Sequence, residues 1–250
     1  MKRFTLLAVV VISLLQVACR RNKNYDPTPV TGSITGKILL TDEFGGLLPV
    51  HSGMKITAVF GDSTLSSDSG NYSITELDEG AYLLKYEKPG FGTFKKFSIP
   101  VRPQTGDGTT VLSGVDYLGQ ISTTQISSLS VTVHVPDSSI DIACVIGPNP
   151  GPASPRNFRL FFSSDTNVSS GNYEYTPANT WTATTASGAV LGFDAAVLYS
   201  HGMAKGTTAH VVGYGESART NTYFDPVLNT QVYPNLNTIS PSNVVSFIVP

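Results

Sequence analysis

Short apolar runs separated by turn-forming residues make up most of the chain, and the clearest of them alternate with period two. Met54, Ile56, Ala58 and Phe60 alternate with Lys55, Thr57 and Val59, which predicts one face of a half-buried strand. Similar runs predict strands at 33–40, 72–76, 81–87, 94–101 and 111–121, and again at 129–135, 140–146, 158–162, 181–186, 195–199, 207–214 and 244–249. The last of these is expected near a sheet edge. The turns between them are explicit: Asp68-Ser69-Gly70-Asn71, Asp78-Glu79-Gly80 and Pro89-Gly90-Phe91 carry residues that accept tight-turn backbone angles. No long helical pattern occurs after residue 19. The fold class is therefore all-β, with two β-sandwich domains in tandem at 31–121 and 129–250, joined by a polar connector at 122–128.

The first nineteen residues follow another rule. Lys2 and Arg3 precede an apolar run, 4–15, broken only by Thr5 and Ser13, and the small residues Val17 and Ala18 precede Cys19. That is the layout of a cleaved signal peptide. The run is too short for a hydrocarbon core about 30 Å thick, which needs roughly 20 apolar residues. Leu15-Gln16-Val17-Ala18-Cys19 resembles a bacterial lipoprotein box, with Gln16 where that pattern usually has Leu. The resemblance implies cleavage after residue 18 and lipid on the Cys19 sulfur, so that the protein is held to a membrane by its N-terminal lipid. Residues 19–30, polar and with two prolines, are then expected to be a disordered tether. The expected location is the cell envelope, anchored to the outer membrane. Surface-displayed lipoproteins of the Bacteroidetes type tend to carry acidic residues just after the cysteine, so Arg20, Arg21 and Lys23 favour the periplasmic face.

A second resemblance covers about 31–121. Gly36-Lys37-Ile38-Leu39, Asp42, Gly45-Gly46, Leu48-Pro49, Asp68-Ser69-Gly70-Asn71-Tyr72-Ser73-Ile74, Leu77, Gly80-Ala81-Tyr82-Leu83-Leu84 and Pro89-Gly90-Phe91 follow the order seen in the carboxypeptidase regulatory-like domain. This segment resembles that family, a small transthyretin-type sandwich, and departs from it at His51-Ser52-Gly53. The likeness implies a supporting or partner-contacting module without carboxypeptidase chemistry. Further on, Lys205-Gly206-Thr207-Thr208-Ala209-His210-Val211-Val212 resembles a strand of a fibronectin type III or related immunoglobulin-like domain, with His210 where Tyr is common.

Composition narrows the function. Hydrophobic residues are 40% and charged residues 14%, and removing Lys2 and Arg3 takes the formal charge from −2 to −4. A basic domain suited to nucleic acid is missing from this picture. Once Cys19 carries lipid, Cys144 has no partner for a disulfide, and its apolar run marks it as a small buried hydrophobe. His51, His134, His201 and His210 lack metal-ligand spacing, and no GxSxG elbow occurs. Gly213-Tyr214-Gly215-Glu216-Ser217-Ala218 matches a loose dinucleotide pattern, but Thr, Tyr, Phe, Asp and Pro follow where a helix is required. Asp42, Asp62, Asp68 and Asp78 sit at turns, where carboxylates cap backbone donors. No metal or other cofactor is implied.

Aromatics leave two readings open. Tyr173, Tyr175 and Trp181 lie among Asn172, Glu174 and Asn179, a mixture able to stack on and hydrogen-bond a sugar, while core packing is the commoner use of such rings. Tyr223, Phe224, Tyr233 and Pro234 carry the same two readings. The sequence thus points to a non-enzymatic, lipid-anchored envelope protein acting as a scaffold or protein-binding module with an envelope protein partner; the alternative is a carbohydrate-binding lipoprotein with a glycan ligand.

Overall fold

Alternating burial organises the first strands. In β1 (Gly32–Thr41), Ile34, Ile38 and Leu40 are fully buried, and in β2 (Lys55–Ala58) so are Ile56 and Ala58. The computed structural model describes residues 30–103, 108–186 and 190–250; Cys19 and the rest of the tether to residue 29 lie outside the described residues. After β2 come β3 (Ser63–Leu65), β4 (Asn71–Leu77), β5 (Gly80–Glu87), β6 (Phe94–Val101), β7 (Thr109–Val111) and β8 (Asp116–Gly119). β1 pairs antiparallel with β4 and parallel with β7 and then β8, while β3, β2, β5 and β6 form an antiparallel second sheet. Ile34, Ile38, Leu40, Met54, Ile56, Leu84 and Leu118 fill the space between the sheets. Tyr72 of β4 and Tyr86 of β5 meet edge to face across it, their hydroxyls 2.8 Å apart. Burial pushes the Tyr72 phenol up to about 12, so the pair remains a neutral hydrogen bond at any physiological pH.

Two expectations need correction here. Met54, Ile56 and Ala58 share the buried face, but Phe60 is fully exposed. β2 stops at Ala58 because the chain turns back at once, with Phe60 at φ +68° and the Gly61 N–H donating to the Ala58 carbonyl at 2.8 Å. The run 111–121 is also two short strands, divided near Gly114, whose φ is +85°.

Gly70 shows why the Asp68–Asn71 turn needs its glycine. Its φ is +83°, and a Cβ there would stand 1.8 Å from the Ile38 carbonyl oxygen of β1. Gly70→Ala is therefore expected to lower stability by roughly 2 kcal/mol or more, from strained backbone plus displacement of β1. Urea denaturation measures it; an unchanged midpoint would contradict this account.

The second sandwich contains β9 (Gln125–His134), β10 (Ser139–Gly147), β11 (Arg156–Ser163), β12 (Trp181–Ala183), β13 (Val190–Asp194), a one-turn helix α1 (Ala196–Tyr199), β14 (Thr208–Glu216), β15 (Tyr223–Asp225), β16 (Thr230–Val232) and β17 (Val245–Ile248). Its sheets are β13-β10-β9 and β12-β11-β14-β17, and β15 and β16 form a separate hairpin. Ile140, Ile142, Cys144, Phe158, Leu160, Phe162 and Val211 lie between the two sheets. β17 is an edge strand, as its sequence suggested. The run 195–199, expected as a strand, is the helix α1: the Asp194 carboxylate accepts the Ala196 N–H at 2.8 Å, and Ala and Leu favour the helical turn that this starts. Residues 122–128, expected as a connector, include the first residues of β9, and Ser122 and Thr124 are buried. Among the described residues no helix is long and apolar enough to cross a membrane.

Residues Thr31–Pro250 form one compact unit, because the sandwiches are joined by more than their connector. The Glu43 carbonyl accepts the Ala218 N–H at 2.8 Å, and its carboxylate meets Arg156 at 3.0 Å and the Thr123 N–H at 2.7 Å. Gly92 donates to Asn235 at 3.2 Å; a Cβ on Gly92 would come within 2.1 Å of the Pro234 carbonyl oxygen, so only glycine permits this approach. Lys95 of β6 pairs at 2.9 Å with Asp225 of β15, and Phe94 and Phe97 pack against Tyr223. The first sandwich therefore fixes the β15–β16 hairpin of the second.

Candidate functional site

β11 and β14 are buried on both faces, which sets them apart from ordinary sandwich strands. Phe158, Leu160 and Phe162 of β11 point into the core between the sheets. The intervening Arg159 and Phe161 point outward, where an additional layer covers them. That layer consists of the segment 164–180, the β15–β16 hairpin and the chain that follows it. Phe161 packs against Tyr173 and Tyr233 of that layer and Tyr214 of the neighbouring strand, with ring centroids 5.0, 5.4 and 5.6 Å away. Val168, Val212 and Leu236 complete this second apolar cluster.

Arg159 is the unusual member. Its side chain is 3% exposed and its Nε donates to the Glu216 carboxylate at 2.8 Å, while the Glu216 side chain is 0% exposed. Nη1 donates to the Pro177 carbonyl, and the guanidinium lies 4.4 Å from the centre of the Tyr233 ring. Burial pushes the Glu216 carboxyl up to about 7, against the pull of Arg159, and one carboxyl oxygen, Oε1, has no hydrogen-bond partner. Burial also raises the Tyr233 phenol above its ordinary value.

Arg159 forms part of the floor of a cleft of about 750 Å³, whose walls are Ala178, Asn179 and Thr180 on one side and Thr220, Thr222, Gln231 and Tyr233 on the other. A second hollow of about 520 Å³ shares Gln231 and Tyr233 and continues past Asn172, Tyr173 and Asn229. The Tyr173 hydroxyl donates to the Gln231 carbonyl at 3.2 Å and so ties the 164–180 segment to the hairpin between the hollows. Amides and hydroxyls dominate the walls, and such groups can donate and accept hydrogen bonds without committing a charge.

The three rings picked out in the sequence do not share one surface. Tyr173 is on the outer face against Phe161, whereas Tyr175 packs on Phe162 and Trp181 on Phe158, both at the core between the sheets. Of the three, Tyr173 alone lines a hollow of this cleft. Tyr233, noted for its late-loop position, lines both hollows. Asn172 and Asn179, read in the sequence as hydrogen-bonding neighbours of these rings, line the two hollows, whereas sequence reasoning missed Arg159 and Gln231. One signal was available for the first: Arg159 stands inside the apolar run Phe158 to Phe162 of β11.

The other candidate groups are dispersed. Cys144 is buried between the sheets, and desolvation pushes its thiol up to about 12, which leaves it protonated and unreactive. His51 Nδ1 accepts the Leu40 N–H at 2.9 Å, His134 meets Asp141 at 2.9 Å, His210 meets Ser246 at 2.8 Å, and His201 stacks on Tyr175. Among the described residues no three His, Cys, Asp or Glu side chains are grouped to hold a metal ion. Asp42 accepts the N–H groups of Phe44 and Gly46, the turn-capping role expected of it.

No protein-family model matches the chain, and no curated protein matches it. Solved structures do. A candidate carbohydrate-binding protein from Bacteroides uniformis is 16% identical, with 88% of this chain and 100% of that one covered and a TM-score of 0.34. A DUF3823 family protein from Bacteroides ovatus is 12% identical over 88% of this chain and 100% of that one, also with a TM-score of 0.34. The major pilin SpaD of Corynebacterium diphtheriae is 14% identical, covering 87% of this chain and 65% of that one, with a TM-score of 0.26. Likenesses this distant carry no argument about what the chain binds.

Proposed function

We propose that this is a non-enzymatic binding protein of the cell envelope, held to the outer membrane by lipid on Cys19, whose second sandwich takes a saccharide in the cleft above Arg159. The observation that carries the reading is the wall chemistry: Asn179, Thr180, Thr220, Thr222 and Gln231 supply neutral hydrogen-bonding groups beside Tyr233, the mixture that suits a ring bearing many hydroxyls. The first sandwich, read as a carboxypeptidase regulatory-like module, serves as the mount for the β15–β16 hairpin.

A specific feature favours a second reading, a scaffold for another envelope protein. Phe224, Val227 and Leu228 are exposed at the hairpin, the latter two 87% and 64%, and exposed apolar groups of this kind mark protein contacts when they form a patch.

Titration of the full-length protein in detergent with a panel of soluble polysaccharides separates the readings. Retention of a polysaccharide that is weakened about thirtyfold by Asn179→Ala together with Gln231→Ala is the expected result, each lost hydrogen bond contributing on the order of 1 kcal/mol. Failure of every polysaccharide to bind, with co-purification of an envelope protein dependent on Val227 and Leu228, would replace the saccharide reading by the scaffold.

A further inference from the structure

We infer that the cleft selects an anionic saccharide, one whose carboxylate or sulfate oxygen accepts a hydrogen bond from the free edge of Arg159; this rests on the saccharide reading above. Two of the three nitrogens of the guanidinium are committed, Nε to Glu216 and Nη1 to the Pro177 carbonyl. Nη2 has no protein acceptor among the described residues, and it is not among the atoms sealed from solvent without a partner. It is the guanidinium nitrogen left to meet a ligand in the cleft that Arg159 lines.

The charge balance of the walls points the same way. Among the described residues no Asp or Glu lines either hollow, and Arg159 is the one fixed charge in them. Its partner Glu216 is 0% exposed and does not line the cleft. A hydroxyl of a neutral sugar would give Nη2 an acceptor without charge; a carboxylate or sulfate oxygen gives it an ionic one, and the pairing of opposite charges is the stronger bond in a setting of reduced dielectric. The Arg159 guanidinium is held between Glu216, Pro177 and the Tyr233 ring, so little side-chain freedom is lost when the ligand arrives. The neutral amides and hydroxyls of Asn179, Thr180 and Gln231 are left to read the hydroxyls of the same sugar.

The test needs no mutation. Isothermal titration of the full-length protein in detergent compares an oligogalacturonate with its fully methyl-esterified form, which keeps the rings and hydroxyls and loses the charge; a sulfated oligosaccharide forms a third arm. Binding of the acid at least about tenfold tighter than the ester, and weakened by added salt, is expected for one charge-assisted hydrogen bond. Tighter binding of the sulfated sugar than of either galacturonate would support the inference and assign sulfate as the anion. Equal affinity for acid and ester, or binding only of neutral oligosaccharides, would overturn the anion claim and leave the saccharide reading intact. Failure of all saccharides to bind would overturn both. Arg159→Lys keeps the charge but shortens its reach and loses the planar fork; if it folds with a native denaturation midpoint, preference for the acid over the ester is expected to fall severalfold, and full retention would count against the role given to Nη2.

Discussion

Replacing Phe161 with alanine is expected to cost about 3–5 kcal/mol of folding stability, the range for removing a large ring from a site that cannot collapse. Phe161 is 0% exposed and is the common neighbour of Tyr173, Tyr214 and Tyr233. Those tyrosines belong to three different segments, so a hole at Phe161 is bordered by rings anchored elsewhere. Tyr173 is tied to the hairpin through Gln231, and Tyr233 is stacked on Arg159. The outer layer should loosen before the sandwich core does, and ligand affinity should fall with stability. Phe161→Leu, which refills most of the volume, is expected to recover more than half of the loss. Urea denaturation monitored by tyrosine fluorescence reads both variants. A cost below 1 kcal/mol for the alanine variant would show that the outer layer is not anchored at this ring.

The second large effect is a dependence of stability on pH that comes from Glu216. Its ordinary value of 4.5 is raised to about 7 in the folded protein by burial, with Arg159 opposing. The folded state thus holds this proton more tightly than the unfolded chain does. The corresponding stabilisation is complete below about pH 4.5 and is lost as pH rises through 7, with a full size on the order of 3 kcal/mol. Oε1, which has no partner, agrees with this direction, since a lone ionised oxygen is poorly accommodated there. The checking measurement is the difference between wild type and Glu216→Gln at pH 5, 6.5 and 8. Wild type should lose stability relative to the variant by roughly 2–3 kcal/mol across that interval. Parallel curves would mean that Glu216 is ionised throughout and that the Arg159 pair governs it.

How much of this was legible beforehand differs by element. β6 was read with its bounds, and β1, β4, β5, β10 and β14 within one or two residues, because each alternates or runs apolar between strong turn signals. The Gly70 turn was equally plain. Phe60 and the α1 segment misled for a shared reason: period two and apolar content are properties of a window, whereas the end of a strand is decided by one or two backbone angles. β3, β13, β15 and β16 were not found. Short hairpin strands such as β15 and β16 owe their pairing to what they rest on, here Lys95, Phe94 and Phe97 of the other sandwich.

By itself the sequence determined an all-β chain of two sandwiches, because alternation and turn chemistry act over a few residues and need no distant partner. It also supplied the rings from which a ligand site could be built. Only the tertiary structure decided which of them face a ligand. Tyr173 and Tyr175 are two residues apart, yet they lie on opposite faces of one sheet, because the N–H groups of both Glu174 and Tyr175 donate to the Phe162 carbonyl, which inserts an extra residue into the pairing and breaks the alternation. Arg159 and Glu216 are 57 residues apart; a cation inside an apolar run marks Arg159 as unusual, but its partner and the outer layer that buries the pair are set by distant segments. The cleft exists because the 164–180 segment and the β15–β16 hairpin meet over that pair, and such a meeting is set by long-range packing.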